Sequence, residues 1–140
     1  ITTARELNIL GHNFFVWEAL PKTEMPAILA ASDMTLSVTR PVQEFEDNSA
    51  NKFFDSLAAG RPIAINYGGW QAALLAEKDA GIQIPADDAQ RAAHQIAAYL
   101  SDAERVVQAG HAARELAYER FHRDKMAAKL ARVLEDVAAQ

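Results

Sequence analysis

The run SANKFFDSLAAGRPIAIN, residues 49–66, contains two kinds of structure. Its first part reads as a helix that starts at Ser49 or Ala50. Gly60 follows that helix, and its tolerance of positive φ suits the residue just past a helix end. The second part, Pro62-Ile63-Ala64-Ile65-Asn66, is short, apolar and β-favouring, without strict alternation. That pattern belongs to a strand buried on both faces, as in a parallel sheet.

The same two kinds of segment continue outward. Asn13–Trp17, Met34–Val38 and Ile82–Ile84 read as further strands. Thr23 is placed to cap a helix from Glu24 to Ala31, with Pro26 in its tolerant first turn. Trp70 to Asp79 reads as a helix closed by Gly81. Asp87 or Asp88 caps another, with Ala92, Ala93, Ile96 and Leu100 on one face. Ser101 and Glu104 fit a capping box for the next. The last runs from Asp124 to Ala138, with Met126, Leu130, Val133, Leu134 and Val137 at helical spacing. The order β-α-β-α-β-α-β-α-α-α predicts an α/β fold, a parallel sheet of four or more strands flanked by helices and joined by right-handed crossovers. Four strands is few for a doubly wound sheet. Ile1 is not a start methionine, and Thr2 to Asn8 reads as the end of a helix. The expectation is one domain, residues 1–140, cut from a longer protein and lacking its first β-α unit.

Composition narrows the function. The 140 residues carry 14 Lys and Arg against 19 Asp and Glu, a net charge of −5. That balance argues against nucleic acid or an anionic membrane face as the main partner. With no cysteine, thiolate metal sites, disulfides and Cys nucleophiles are excluded. No apolar stretch approaches the ~20 residues that span a bilayer, and no signal peptide opens the chain.

Chemistry concentrates between Glu44 and Pro62, where a loop leaves the carboxyl end of the second predicted strand and enters a helix. Ligands of parallel α/β sheets bind at that end. Asn48, Asn51, Lys52 and Asp55 stand at i, i+3, i+4 and i+7, one helical face, with Phe54, Leu57 and Ala58 set opposite to pack on the sheet. Free amides near Ser49, Ala50 and Asn51 carry partial positive charge and can hold phosphate oxygens. Lys52 adds a full charge. Asp55, roughly 6–9 Å further along the helix, can accept hydrogen bonds from a pair of ribose hydroxyls. Asp47, at the loop end, can bind hydroxyls of a sugar attached to the diphosphate. The competing reading makes Asn48 or Ser49 a plain N-cap and Lys52–Asp55 a surface ion pair.

Here the sequence resembles the carboxyl-terminal domain of retaining GT-B glycosyltransferases, family 4. That family carries an acidic residue, seven others, then a second acidic residue opening an E-x-M-A-x-G-x-P-V run. Asp55-Ser56-Leu57-Ala58-Ala59-Gly60-Arg61-Pro62-Ile63 matches the second half, and Asp47 stands eight residues before Asp55. Residues 48–55 with Ala64-Ile65-Asn66-Tyr67-Gly68-Gly69-Trp70 resemble a subgroup that builds bacterial O-antigen and capsule and includes transferases of N-acetylated amino sugars. Leu20 to Asp33 and the tail from Ser101 to Ala138 also resemble the family, so the likeness covers nearly the whole chain. It implies Asp55 as the ribose ligand, Asp47 as the sugar ligand and the amides of 48–51 for the diphosphate. It implies backbone contacts to the base near Ala19 and Leu20. The donor implied is a nucleotide-diphosphate sugar, UDP-linked and N-acetylated by the subgroup likeness. The acceptor is a growing, lipid-linked glycan met through an amino-terminal domain that also carries the catalytic groups. No metal or other cofactor is implied. The setting is cytoplasmic, peripheral to the inner membrane in the full protein.

The chain departs from the family pattern in two ways. Both acidic positions are Asp where the family has Glu, and Glu44 and Glu46 compete for the role of Asp47. The family's Arg and Lys pair on the first β-α unit has no counterpart. Two alternatives are a non-catalytic nucleotide-sugar-binding subunit and a regulatory α/β domain. His12, His94, His111 and His122 are scattered, without metal-ligand spacing. Trp17 and Trp70 suit packing or stacking. Gly68-Gly69 permits either a close approach to a phosphate or a tight turn. A sheet edge left open by a lost strand predicts self-association.

Overall fold

A computed structural model describes residues 1–40, 42 and 46–139. Strand β2 (Ile63–Ile65) lies at the centre of a parallel sheet, between β1 (Thr35–Ser37) and β3 (Gly81–Gln83). Thr35 is in register with Ile63, and Ile63 with Gly81. All three residues of β2 are fully buried. Pleating sends Ile63 and Ile65 to one face and Ala64 to the other. On the first face they meet Phe53 and Leu57 of α3 (Asn51–Ala58), Leu75 of α4 (Gly69–Lys78) and Leu116 of α6 (Ala103–Phe121). Ala64 belongs to a second cluster with Met34, Ile84, Ala109 of α6, and Ala92 and Tyr99 of α5 (Ala89–Leu100). The apolar Ile-Ala-Ile run is therefore buried from both sides, as the sequence predicts. The remaining helices are α1 (Thr2–Glu6), α2 (Met25–Ala30) and α7 (Arg123–Ala138). Among the described residues, no helix is long and apolar enough to cross a membrane.

Four strands are expected from the sequence, and the described residues hold three. The segment 13–17 makes only an isolated bridge, Leu10 with Phe14. Its apolar side chains are exposed, Trp17 at 69%. A strand is held by lateral hydrogen bonds, and among the described residues this segment has no paired strand beyond that bridge to supply them. Leu36 is also exposed. It shares a face with Ala64, its register partner, but Ala64 packs with residues of α5 and α6 and Leu36 joins neither buried cluster. On α7 the expected apolar spacing is present, yet the helix buries no residue.

The helix ends differ in detail from expectation. Asp88 caps α5 as read, accepting from the Arg91 N–H at 2.8 Å. Glu24, not Thr23, stands at the start of α2 and makes no side-chain cap. Asp102, not Ser101, caps α6, accepting from the Arg105 N–H at 3.0 Å. Ser101 still belongs to the end of α5, where its hydroxyl donates to the Ala98 carbonyl. Asp79, in the left-handed conformation with φ of 52°, ends α4. Gly81 instead opens β3, where a Cβ would run into the Ile63 backbone.

Tyr99 packs in the second cluster, and its hydroxyl has no hydrogen-bond partner among the described residues. Burial pushes its pKa up, Asp79 adds to that, and Arg105, 4.3 Å over the ring, opposes it. A raised folded-state pKa favours the protonated phenol, so its contribution is complete below about 10 and is lost as pH rises through the folded value. Urea denaturation from pH 8 to 11 is expected to show an alkaline loss of stability that Tyr99→Phe reduces.

Candidate functional site

Helix α3 begins without a side-chain cap. Ala50 is its N-cap, in extended conformation (φ −65°, ψ 124°), and no side chain caps the start. The Phe53 N–H reaches the Ala50 carbonyl at 3.0 Å. The N–H groups of Ser49, Ala50, Asn51 and Lys52 have no hydrogen-bond partner among the described residues. Neither half of the competing sequence reading is formed. Asn48 and Ser49 do not cap the helix, and Lys52 and Asp55 make no ion pair within 4.0 Å.

The face assignment needs one correction. Asn51, Lys52 and Asp55 do share an exposed face, but Phe53, Ser56 and Leu57 are the buried residues of α3. Phe54 is half-buried and Ala58 exposed. The small polar Ser56 fits inside because Thr35 of β1 donates to its hydroxyl at 2.7 Å, and Ser56 donates to the Lys52 carbonyl at 2.6 Å. This chain fastens the helix to the edge strand.

A polar relay fixes the loop before α3. Gln71 of α4 is fully buried. Its Nε2 donates to the Asn48 carbonyl at 2.8 Å, and its Oε1 accepts from the Tyr67 hydroxyl at 2.8 Å. Ser37, at the carboxyl end of β1, lies 3.2 Å from that hydroxyl. Asn66 joins the ends of β1 and β2, accepting from the Thr39 N–H and donating to its carbonyl, both at 2.8 Å. Sequence reading missed Ser37, Tyr67 and Gln71. The signal available was a Tyr and a Gln four apart across the turn from β2 into α4.

The predicted site residues fall on two surfaces. At the carboxyl ends of the strands lies a crevice of about 480 Å³, lined by Arg40, Glu46, Asn66, Gly68 and Gln83 among others. Glu46 lines it, and Asp47, though exposed, does not. Glu44 lies outside the described residues. Asp55 is exposed on the outer side of α3, lining a cavity of about 300 Å³ with Lys22, Met25, Pro26 and Leu29. It also borders a second cavity, of about 410 Å³, toward Tyr118 and Phe121. Asp47 and Asp55 thus do not face one common cavity. The loop near Ala19 and Leu20 leads directly into the Asp55 groove through Lys22.

Gly68-Gly69 serves the loop. Gly69 has φ of 78°, and a Cβ there would run into the Glu46 carbonyl. Trp70 packs rather than projects, with its ring stacked on Phe54 at 6.1 Å and edge-on to Phe53 at 5.6 Å. No three acidic or imidazole groups converge as a metal site among the described residues. Another cavity, about 550 Å³, lies near the amino ends of the strands beside Asp33 and Arg61. Arg61 there donates to the Ala30 carbonyl at the end of α2.

A model of the glycosyl transferase-like family matches residues 2–135. The chain belongs to this family. In fold it is similar to sucrose-phosphate synthase from Thermosynechococcus elongatus, with 17% identity and a TM-score of 0.83 over 99% of this chain and 33% of that one. It is also similar to the Anabaena protein HepE in complex with UDP and glucose, with 17% identity and a TM-score of 0.77 over 96% of this chain and 35% of that one. A further HepE structure, in complex with UDP-glucose, matches with a TM-score of 0.76, 17% identity and the same 96% and 35% coverage. The chain spans about a third of the length of these structures. No curated protein matches it by sequence. These likenesses establish the α/β architecture with a parallel sheet between helices, as in GT-B glycosyltransferases.

The Gly68-Gly69 turn supplies a direct check of the loop geometry. Gly69→Ala is expected to cost about 1–3 kcal/mol in urea denaturation, because it strains φ and meets backbone. Gly68→Ala, which meets only the flexible end of Glu46, is expected to cost less than about 1 kcal/mol.

Proposed function

We propose that this chain is the donor-binding unit of a glycosyltransferase that takes a sugar from a nucleotide-diphosphate sugar. The reading rests on the start of α3, with open amides and Lys52 there and, one turn on, an exposed carboxylate facing a groove. The uncapped helix start carries roughly half a positive charge, suited to a diphosphate. Asp55, about 6 Å along the axis from Asn51, then meets the ribose hydroxyls. The apolar wall of Met25, Pro26 and Leu29 accommodates the base.

In the transfer, the bond between the anomeric carbon and the diphosphate oxygen breaks. A bond to an acceptor hydroxyl forms, and the hydroxyl proton goes to the leaving diphosphate. Charge grows on the diphosphate as it leaves, and the α3 amides and Lys52 stabilise it there. We assign no catalytic residue within the chain. The acceptor and the groups that act on it belong to a second domain of the whole enzyme, so the chain alone transfers no sugar.

The HepE structures hold UDP, UDP with glucose, and UDP-glucose, which makes UDP the first nucleotide to test. The finer reading is a retaining enzyme that uses a UDP-linked N-acetylated sugar in the cytoplasm to build O-antigen or capsule. It rests on the sequence likeness of residues 48–70. For the sugar itself, the carboxylate in the strand-end crevice is Glu46, and we assign it the role that the sequence reading gave to Asp47.

Calorimetric titration with UDP, GDP and ADP tests the proposal. One diphosphate is expected to bind, and Asp55→Ala to weaken it roughly tenfold or more, the scale of losing hydrogen bonds to a charged acceptor. No binding of any nucleotide, or equal binding by Asp55→Ala, contradicts it.

A further inference from the structure

We propose that Gln71 is a positioning residue for the diphosphate: by holding the Asn48 carbonyl inward, it turns the Ser49 N–H outward toward the phosphates. This inference rests on the donor-site reading above.

Hydrogen-bond logic fixes every member of the relay. The Asn48 carbonyl can only accept, so the nearby Gln71 atom must be the amide nitrogen, and its oxygen then faces Tyr67. Tyr67 has one proton, and the Gln71 oxygen requires it. The Ser37 hydroxyl, 3.2 Å away, therefore donates to the phenol oxygen. The donors run one way, from Ser37 through Tyr67 and Gln71 to Asn48. The three side chains are 3%, 6% and 0% exposed, so the relay is sealed from water. It ties three segments together: β1, the β2–α4 junction and the loop before α3.

The last link has a consequence for the next peptide. No peptide bond among the described residues is cis. In a trans peptide the C=O and the following N–H point in opposite directions. A carbonyl drawn inward to Gln71 therefore sends the Ser49 N–H outward. That N–H has no partner among the described residues, and Ser49 is exposed. It joins the Ala50, Asn51 and Lys52 amides at the helix start, making four successive donors. Burying an amide side chain is costly without partners. An apolar residue would fill the same space but could not orient the loop.

The test compares UDP with uridine, which lacks the phosphates. Gln71→Leu is expected to weaken UDP at least tenfold, while uridine affinity stays within twofold. Tyr67→Phe, which removes one link and keeps the ring, is expected to weaken UDP about threefold with uridine again unchanged. If Gln71→Leu does not fold, as judged by thermal melting, Tyr67→Phe decides. Unchanged UDP binding in a folded variant overturns the inference and leaves the donor site standing. Equal losses for UDP and uridine also overturn it, since they indicate a general disturbance. Failure of the unaltered chain to bind UDP, GDP or ADP overturns both readings; if GDP or ADP binds instead, the same comparison is made between that diphosphate and its nucleoside.

Discussion

Four successive peptide N–H groups at the start of α3, those of Ser49, Ala50, Asn51 and Lys52, have no hydrogen-bond partner among the described residues. Helix starts are usually closed by a side chain from the N-cap position. Ala50 occupies that position and has none to offer. The surroundings hold this open start in place. β2, buried on both faces, anchors the sheet. Leu57 and Phe53 seat α3 on it, Thr35 and Ser56 fasten the helix to β1, and Gln71 fastens the preceding loop to α4. A rigid set of donors costs little reorganisation when charge develops on a ligand, which is where such sites gain their effect.

The charge pattern is local. The chain carries a net charge of −5, which disfavours an anionic ligand at long range. Aqueous salt screens that repulsion beyond about 8–10 Å. Close to α3 the field is set by the helix start and Lys52. In the proposed donor site, Asp55 stands one turn away, where a nucleotide presents neutral hydroxyls instead of phosphate. Separating cationic and anionic functions along one helix lets a single element address both parts of a nucleotide.

Much of the fold was legible because burial writes itself into composition. The Ile-Ala-Ile of β2 and the polar face of α3 could be read directly. The segment 13–17 misled because its β-favouring residues say nothing about whether a neighbouring strand is present. Capping at Ser101 was misplaced by one residue because Ser101 closes α5, directly after Leu100. On α3, the exposed face shared by Asn51, Lys52 and Asp55 was legible from spacing. The separation of Asp47 from the crevice that Glu46 lines was not, since a loop's side-chain directions have no periodicity to read. The Ser37–Tyr67–Gln71 relay was also hidden. Ser37 is 30 residues from Tyr67 and Asn48 is 23 from Gln71, and only the tertiary fold brings them into line.

The most direct measurement is a proton–nitrogen correlation NMR titration of the chain with UDP. The account expects the largest amide shifts at Ser49, Asn51 and Lys52, with smaller ones around Asp55 and Lys22. Shifts centred instead on the cavity beside Arg61, with the start of α3 unmoved, would contradict it.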